Sequence, residues 1–199
     1  LYTFYDLYDG ERPDQVSQML YDTTDYYWTF FLLNDNLKTK GWPLSNKSLT
    51  AYVKRKYNNT TLITRDYFYD KFKVNDSITG QNSTAVGKII STNSNLGTIT
   101  VAGTPTFTVS ETIQLVGDPS KTVTLHSSSL EYNAVRYYKL GTDIVDIDPT
   151  VGPGSGLVEI TNLEHYQEEN ELNMKIKAFK PESIAGIFSA YKSSLRENS

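Results

Sequence analysis

Between Thr79 and Ser129 the chain has one aromatic residue, Phe107, although the whole sequence holds 15 Tyr, 8 Phe and 2 Trp. Thr, Ser, Val, Ile and Gly dominate this stretch, a composition that suits pleated strands and not helices. Four short β-branched runs stand out: Val86 to Ser91, Gly97 to Val101, Thr112 to Val116 and Thr122 to His126. Ser94-Asn95, Gly103-Thr104-Pro105 and Gly117-Asp118-Pro119 separate them as turns. Short strands at regular turn spacing predict a small barrel or sandwich. The segment is therefore expected to fold on its own core, inside a chain whose two ends follow other rules.

The ends read as helices on a small sheet. Leu1 to Tyr8 is aromatic and β-prone and runs into the turn signal Asp9-Gly10. Residues 10 to 45 predict two short helices. Pro13 suits a first helical position, and Val16, Met19 and Leu20 recur at helical spacing. Thr24 is expected to cap the second helix, with Asp25 in its first turn, Trp28, Phe31 and Leu32 on one face, and Asn34-Asp35-Asn36 as its end. Ser45 and Asn46 cap a third, Lys47 to Tyr57, whose Lys54-Arg55-Lys56 run reads as a solvated face. Leu62 to Val74, Leu130 to Leu140 and Leu157 to Leu163 hold further strand signals. Glu164 to Asn173 is polar helix or loop, and Met174 to Phe179 alternates as a strand. That strand is expected to pair with Tyr2 to Tyr8, because its alternation demands one buried face. From Pro181 a last helix carries Ile184, Ile187, Phe188, Tyr191 and Leu195 on one apolar stripe.

Several strings carry a resemblance. An aromatic strand (Tyr2, Phe4), Gly10 with an acidic neighbour, Val16-Ser17, Tyr21, Leu32-Leu33 and Asn34 together resemble a LysM module. Arg12-Pro13 stands where that family has Thr-Leu, and the spacing to Tyr21 is one residue longer. "GERPDQVSQMLYD", "YYWTFFLLNDN", "GWPLS" and "ENELNMKIKAFKPESI" resemble, more sharply, the LysM-fold wedge subunit in the baseplate of T-even-like contractile-tailed phages. The likeness covers roughly residues 1 to 58 and 164 to 199. "GKIISTNSNLGTITV" and "FTVSETIQLVG" are similar to a β-module inserted in structural proteins of large phages.

The resemblance implies an α+β fold: a LysM-like unit of two helices on a small antiparallel sheet, interrupted by a β-rich insertion, with a C-terminal helix. The expected divisions are 1–58, 59–163 with the barrel-like module at 79–129, and 164–199. It implies a virion protein, assembled in the host cytoplasm, that joins wedge subunits of a six-fold baseplate near its sheath end. Its partners would be other wedge proteins and the sheath-initiating subunit. Trp42, Ile184, Ile187, Phe188 and Tyr191 are the candidate partner-binding residues. The alternative is glycan binding, since ordinary LysM units hold N-acetylglucosamine polymers. An unrepeated unit, split by an insertion and lacking a catalytic neighbour, argues for assembly.

The remaining chemistry is exclusionary. Net charge is −4 at pH 7, with acids and bases interspersed, which lacks the basic face a nucleic-acid binder needs. No apolar run reaches membrane-span length, and the first residues lack a signal-peptide core. Residue 1 is Leu and not Met, so the natural chain is expected to begin a few residues earlier. There is no Cys, so there is neither a disulfide nor a thiolate metal site. His126 and His165 lack ligand spacing. Asp143, Asp146 and Asp148 lack the calcium-loop pattern and read as charges guarding an edge strand. "GPGSG" at 152–156 lacks the Lys-Ser/Thr of a phosphate loop and reads as a linker. No nucleophile or acid/base pair is recognisable, so no enzyme activity, small-molecule substrate, cofactor or metal is expected.

Overall fold

The computed structural model describes residues 1–197, with the side chains of Leu195 and Glu197 outside the described set. In chain order the elements are β1 (Tyr2–Asp6), α1 (Pro13–Tyr21), α2 (Trp28–Leu33), α3 (Asp35–Lys40), α4 (Asn46–Lys56), β2 (Thr60–Thr64), β3 (Ser77–Gly80), β4 (Val86–Asn93), β5 (Thr98–Val101), β6 (Thr112–Leu115) and β7 (Asp118–Leu130). Then follow β8 (Val135–Leu140), β9 (Asp143–Val145), β10 (Val158–Thr161), α5 (Asn162–Met174), β11 (Lys175–Phe179) and α6 (Pro181–Glu197). The fold is α+β. It divides into one compact unit of Leu1–Leu49 with Gln167–Ser199 and a second of Thr50–Tyr166. The divisions fall inside α4 and α5, where the sequence suggested breaks at 58/59 and 163/164.

In the first unit β1 pairs antiparallel with β11, from Tyr2↔Phe179 to Asp6↔Lys175. The strand expected from Met174 therefore starts one residue later. Met174 closes α5, and its carbonyl accepts from the Leu7 N–H at 2.9 Å. Leu7, Val16, Phe30, Leu37, Ile176 and Ala178 form the core. Pro13 opens α1, and the Arg12 N–H donates to the Gln15 side chain at 3.0 Å. Beyond α1, buried Ser17 organises the turn. Its hydroxyl donates to the Thr23 carbonyl at 2.7 Å and accepts from the Tyr26 N–H at 3.2 Å. This turn displaces the expected Thr24 cap, and α2 starts only at Trp28.

The second helix ends at Asn34 as expected, and a further short helix, α3, follows where the chain was expected to leave helical structure. The backbone of Asn34 is extended (φ −125°, ψ 96°), and α3 starts immediately after it. Its amide lies along the outer edge of β11 as a peptide group would. Nδ2 donates to the Lys177 carbonyl at 2.9 Å and to the Phe30 carbonyl at 2.7 Å, and Oδ1 accepts from the Lys177 N–H at 2.9 Å. Asn34→Ala should cost about 2–3 kcal/mol in urea unfolding, because it orphans groups that the core shields from water. Asn34→Asp should be at least as damaging at pH 7, since a carboxylate cannot donate to those two carbonyls. The Asp variant should recover part of its loss on acidification.

The second unit holds a closed antiparallel barrel in the order β2-β5-β4-β3-β6-β7. Its wall begins at Thr60, well before the expected start at Thr79, because β2 closes the seam. It pairs with β5 (Thr60↔Val101) and with β7 (Thr60↔Leu130). The run expected at Thr122 to His126 is part of the long β7. That strand pairs with β6 near its start and with β2 near its end. Inside lie Leu62, Ile78, Ile89, Ile99, Val101, Ile113, Val123 and Leu125, with Phe68, Phe72 and Phe107 completing the core. A Cβ on Gly87 would come within 2.9 Å of the Val101 side chain, so the wall there tolerates glycine alone without adjustment. Beside the barrel in sequence, β10-β8-β9 form a three-stranded sheet. The two ends of this unit are held together by rings: Tyr166 lies 6.0 Å from both Tyr52 and Tyr57, and Lys56 Nζ sits 4.9 Å over Tyr166. All three residues of the Lys54-Arg55-Lys56 run are exposed, as a solvated face should be, and Lys56 also rests over Tyr166.

Glu111 is the buried charge of the barrel. It accepts from the N–H groups of Asn82 (2.9 Å), Ser83 (2.8 Å) and Thr108 (2.6 Å) and from the Ser83 hydroxyl (2.8 Å). Burial pushes its pKa up, but the bonds from Ser83, Thr108 and Asn82 prevail and leave it below the ordinary glutamate value. A depressed carboxyl stabilises the fold above its unfolded pKa, about 4.3, and that contribution disappears as pH falls through the folded pKa. Melting temperature should therefore drop below about pH 4. Glu111→Gln should lower stability at pH 7 by about 1–3 kcal/mol and flatten the acid limb of the profile.

Candidate partner interface

α6 follows Lys180 and begins at Pro181, whose fixed φ and missing N–H suit a first turn. The expected stripe does not behave as one surface. Ile184 is buried at 4% exposure, Ile187 and Phe188 are half-buried, and Tyr191 is exposed at 45%. The side chain of Leu195 lies outside the described residues. Ile184 is the member of the stripe that is buried within its own unit and so offers almost no exposed surface.

Phe188 and Tyr191 meet the helical N-terminal region through rings. Phe188 lies 5.1 Å from Tyr26, edge to face, and 6.3 Å from Trp28. Tyr191 lies 5.0 Å from Trp28, and Lys192 Nζ sits 4.3 Å over Phe188. Tyr26 continues inward to Tyr21 (5.7 Å), which stacks on buried Phe30 at 6.1 Å. Tyr21 donates its hydroxyl to the Phe179 carbonyl at 2.9 Å, and burial pushes its pKa up to about 12. A continuous aromatic path therefore runs from the core to the exposed edge of Tyr191. Each such pair contributes about 0.5–1.5 kcal/mol beyond burial.

Trp42 lies 5.8 Å from both Phe30 and Phe31, and its indole N–H donates to the Glu11 carbonyl at 2.6 Å. The expected packing near Phe31 is present, with Phe30 as second neighbour. Leu32, the other expected neighbour, is exposed at 52%. Trp42 is half-buried, with its polar handle used within its own unit. What remains presented is the outer side of Trp28, Phe188 and Tyr191. Helical spacing places Trp28 on the face of Phe31 and gives no sign of its pairing with α6. Nothing in a local repeat reveals a contact between segments so far apart.

The second unit offers two small cavities. One of about 160 Å³ is lined by Asp66, Phe68, Asp148 and Pro149 and flanked by the exposed Tyr67 and Tyr69. The other, about 110 Å³, holds Arg65, His126, Tyr138 and Glu159. Arg65 lies 3.1 Å from His126 Nε2. Burial and then Glu164 raise the Glu159 pKa, and burial raises that of Tyr138. "GPGSG" is not wholly a linker: Gly152 (φ +88°) packs so closely on the Arg65 guanidinium that any side chain would collide. Asp148 closes a turn, accepting from the Thr150 hydroxyl and N–H, which hold its pKa low. His165 lies 3.1 Å from the Tyr137 hydroxyl. Among the described residues no three of His, Asp and Glu gather as a metal site, and no helix is long and apolar enough to cross a membrane.

No family model matches the chain, and no curated protein matches it. The distinct positions along α6 make a direct comparison. Tyr191→Asp loses one ring contact at an exposed edge and should cost about 0.5–1.5 kcal/mol while the fold stays native. Ile184→Asp buries an unpaired charge and should cost several kcal/mol, roughly 3 or more, with loss of near-ultraviolet aromatic circular dichroism.

Proposed function

We propose that this chain is a structural subunit of a contractile phage tail baseplate, joining wedge subunits near the sheath by protein–protein contact. The observation that carries the reading is the pairing of the two chain ends. β1 and β11 make one two-stranded sheet with the N-terminal helices packed on it, and a self-contained barrel unit intervenes in sequence. That is the arrangement the LysM-like wedge resemblance implies. The aromatic edge formed by Trp28, Phe188 and Tyr191 is the kind of surface enriched at protein interfaces. The protein works by contact and not by chemistry, with other wedge proteins and the sheath-initiating subunit as partners. It acts in the virion after assembly in the host cytoplasm.

Quantitative mass spectrometry of purified tails should find the chain in the baseplate fraction at a six-fold ratio to the tail. Tyr191→Asp should reduce its incorporation while circular dichroism remains native. Absence from baseplates, or tight binding of N-acetylglucosamine oligomers by the intact chain, would overturn the assembly reading in favour of glycan recognition.

A further inference from the structure

Pairing parity fixes which backbone groups of the small sheet are free. The Lys180 N–H donates to Leu1 and the Leu7 N–H to Met174, at the two ends of the Tyr2↔Phe179 ladder. The hydrogen-bonded pairs are therefore Leu1 with Lys180, Thr3 with Ala178, Tyr5 with Ile176, and Leu7 with Met174. The N–H and C=O groups of Tyr2, Phe4 and Asp6 point outward from β1. Those of Lys175, Lys177 and Phe179 point outward from β11.

The two edges are treated differently. On β11, Asn34 takes both groups of Lys177 and Tyr21 takes the Phe179 carbonyl. On β1, the outward groups of Tyr2, Phe4 and Asp6 have no hydrogen-bond partner among the described residues. β1 also has no Pro and no bulge to block pairing.

The side chains over this open edge state what it fits. Tyr2 and Phe4 are 47% and 56% exposed, and their rings meet edge to face at 5.9 Å. Lys177 Nζ lies 5.4 Å over Tyr2, and Lys175 Nζ lies 5.3 Å over Phe4. Each ammonium leans diagonally across the ladder onto β1, toward the open edge, and neither forms a salt bridge among the described residues. Asp6 is the one acid on that strand. A second copy of β1 is a poor occupant. An antiparallel pairing with Phe4 opposite Phe4 would bring the two Lys175 ammonium groups together at the centre.

We infer that the outer edge of β1 receives an extended, antiparallel strand from a partner protein, with acidic side chains opposite Tyr2 and Phe4 and a basic one opposite Asp6. Main-chain bonds to Tyr2, Phe4 and Asp6 give the affinity. The two lysines select the sequence through charge-assisted contacts over the rings. This inference stands apart from the baseplate reading: a chain absent from virions that still took such a strand would leave it intact.

Residue-resolved amide exchange on the full chain tests it. In the free protein the amides of Thr3, Tyr5 and Leu7 should exchange slowly and those of Phe4 and Asp6 rapidly. A short synthetic peptide of alternating Val and charged positions, Lys then Glu then Glu, should slow Phe4 and Asp6 at least tenfold. A control peptide with the charges reversed should not. Phe4→Pro removes an outward N–H while sparing the β1–β11 bonds and should weaken peptide binding at least tenfold, whereas Phe4→Leu keeps most of it. Lys175→Glu with Lys177→Glu should reverse the peptide preference. Protection of Phe4 and Asp6 without peptide, indifference to the Glu peptide at millimolar concentration, or equal response to both peptides would overturn the inference. So would protection that grows with protein concentration alone, which would assign the edge to a second copy.

Discussion

The side-chain amide of Asn34 ties the beginning of this chain to its end. It is buried, and its three hydrogen bonds serve Phe30 on one side and Lys177 on the other. A peptide-like group on a side chain can extend a strand edge without adding a strand. The two-stranded sheet thereby acquires a partner along β11 that the short helices alone could not supply, since an isolated hairpin-sized sheet is marginal in water. The same constraint forces the backbone at Asn34 out of helical geometry and divides α2 from α3. Tyr21 completes the cover at Phe179. Because β11 is covered this way at Lys177 and Phe179, β1 carries the more open edge of the sheet.

The two units solve burial with different residues. The first relies on rings and long aliphatic side chains around Phe30, with polar tips that reach backbone carbonyls: Trp42 to Glu11 and Tyr21 to Phe179. Aromatic residues suit irregular helix–sheet corners, because one large side chain fills a gap and its polar atom satisfies a stray acceptor. The barrel relies on β-branched residues, whose stiff side chains fill a pleated interior. Its one buried charge, Glu111, gathers backbone N–H groups that have no place in the ladder. Each solution leaves its mark on composition, which is why the stretch from Thr79 to Ser129 differs so plainly from its flanks.

Local pattern is legible wherever one strand or helix face decides the outcome. The alternation at Lys175 to Phe179, the cap at Ser45, the turn at Gly117 and the α+β class all lie at that level. The Ser45 hydroxyl accepts from the Ser48 N–H at 3.2 Å, as a cap should. The departures all involve distant partners. Thr24 has the residue type of a cap, but Ser17 bends the chain beneath it. Thr60 to Thr64 reads as separate from the barrel because Phe68 and Phe72, which close that core, give the linking segment the aromatic composition of the ends. Lys56 is exposed as its charge suggests, but nothing local announces that it lies over Tyr166. Ile184 and Tyr191 are equivalent on one stripe, yet burial separates them. In the candidate interface, helical spacing identifies α6 and its residues, but only the fold names Trp28 and Tyr26 as their neighbours.

Pairing β1 with β11 joins residues at nearly opposite ends of the chain. Loop closure charges an entropy that grows with the logarithm of length, about 0.6 kcal/mol per doubling. The rings of Tyr52, Tyr57 and Tyr166 and the barrel seam between Thr60 and Leu130 close the second unit within itself. Once that unit is folded, the chain separating β1 from β11 is effectively only the first unit's own residues. The reduction saves about 1 kcal/mol of closure entropy. The saving is small in equilibrium terms, but non-local closure also slows folding. An inserted unit with joined ends can thus fold first and act as a short bridge. The host sheet, secured by a single asparagine on one edge, forms around it afterwards.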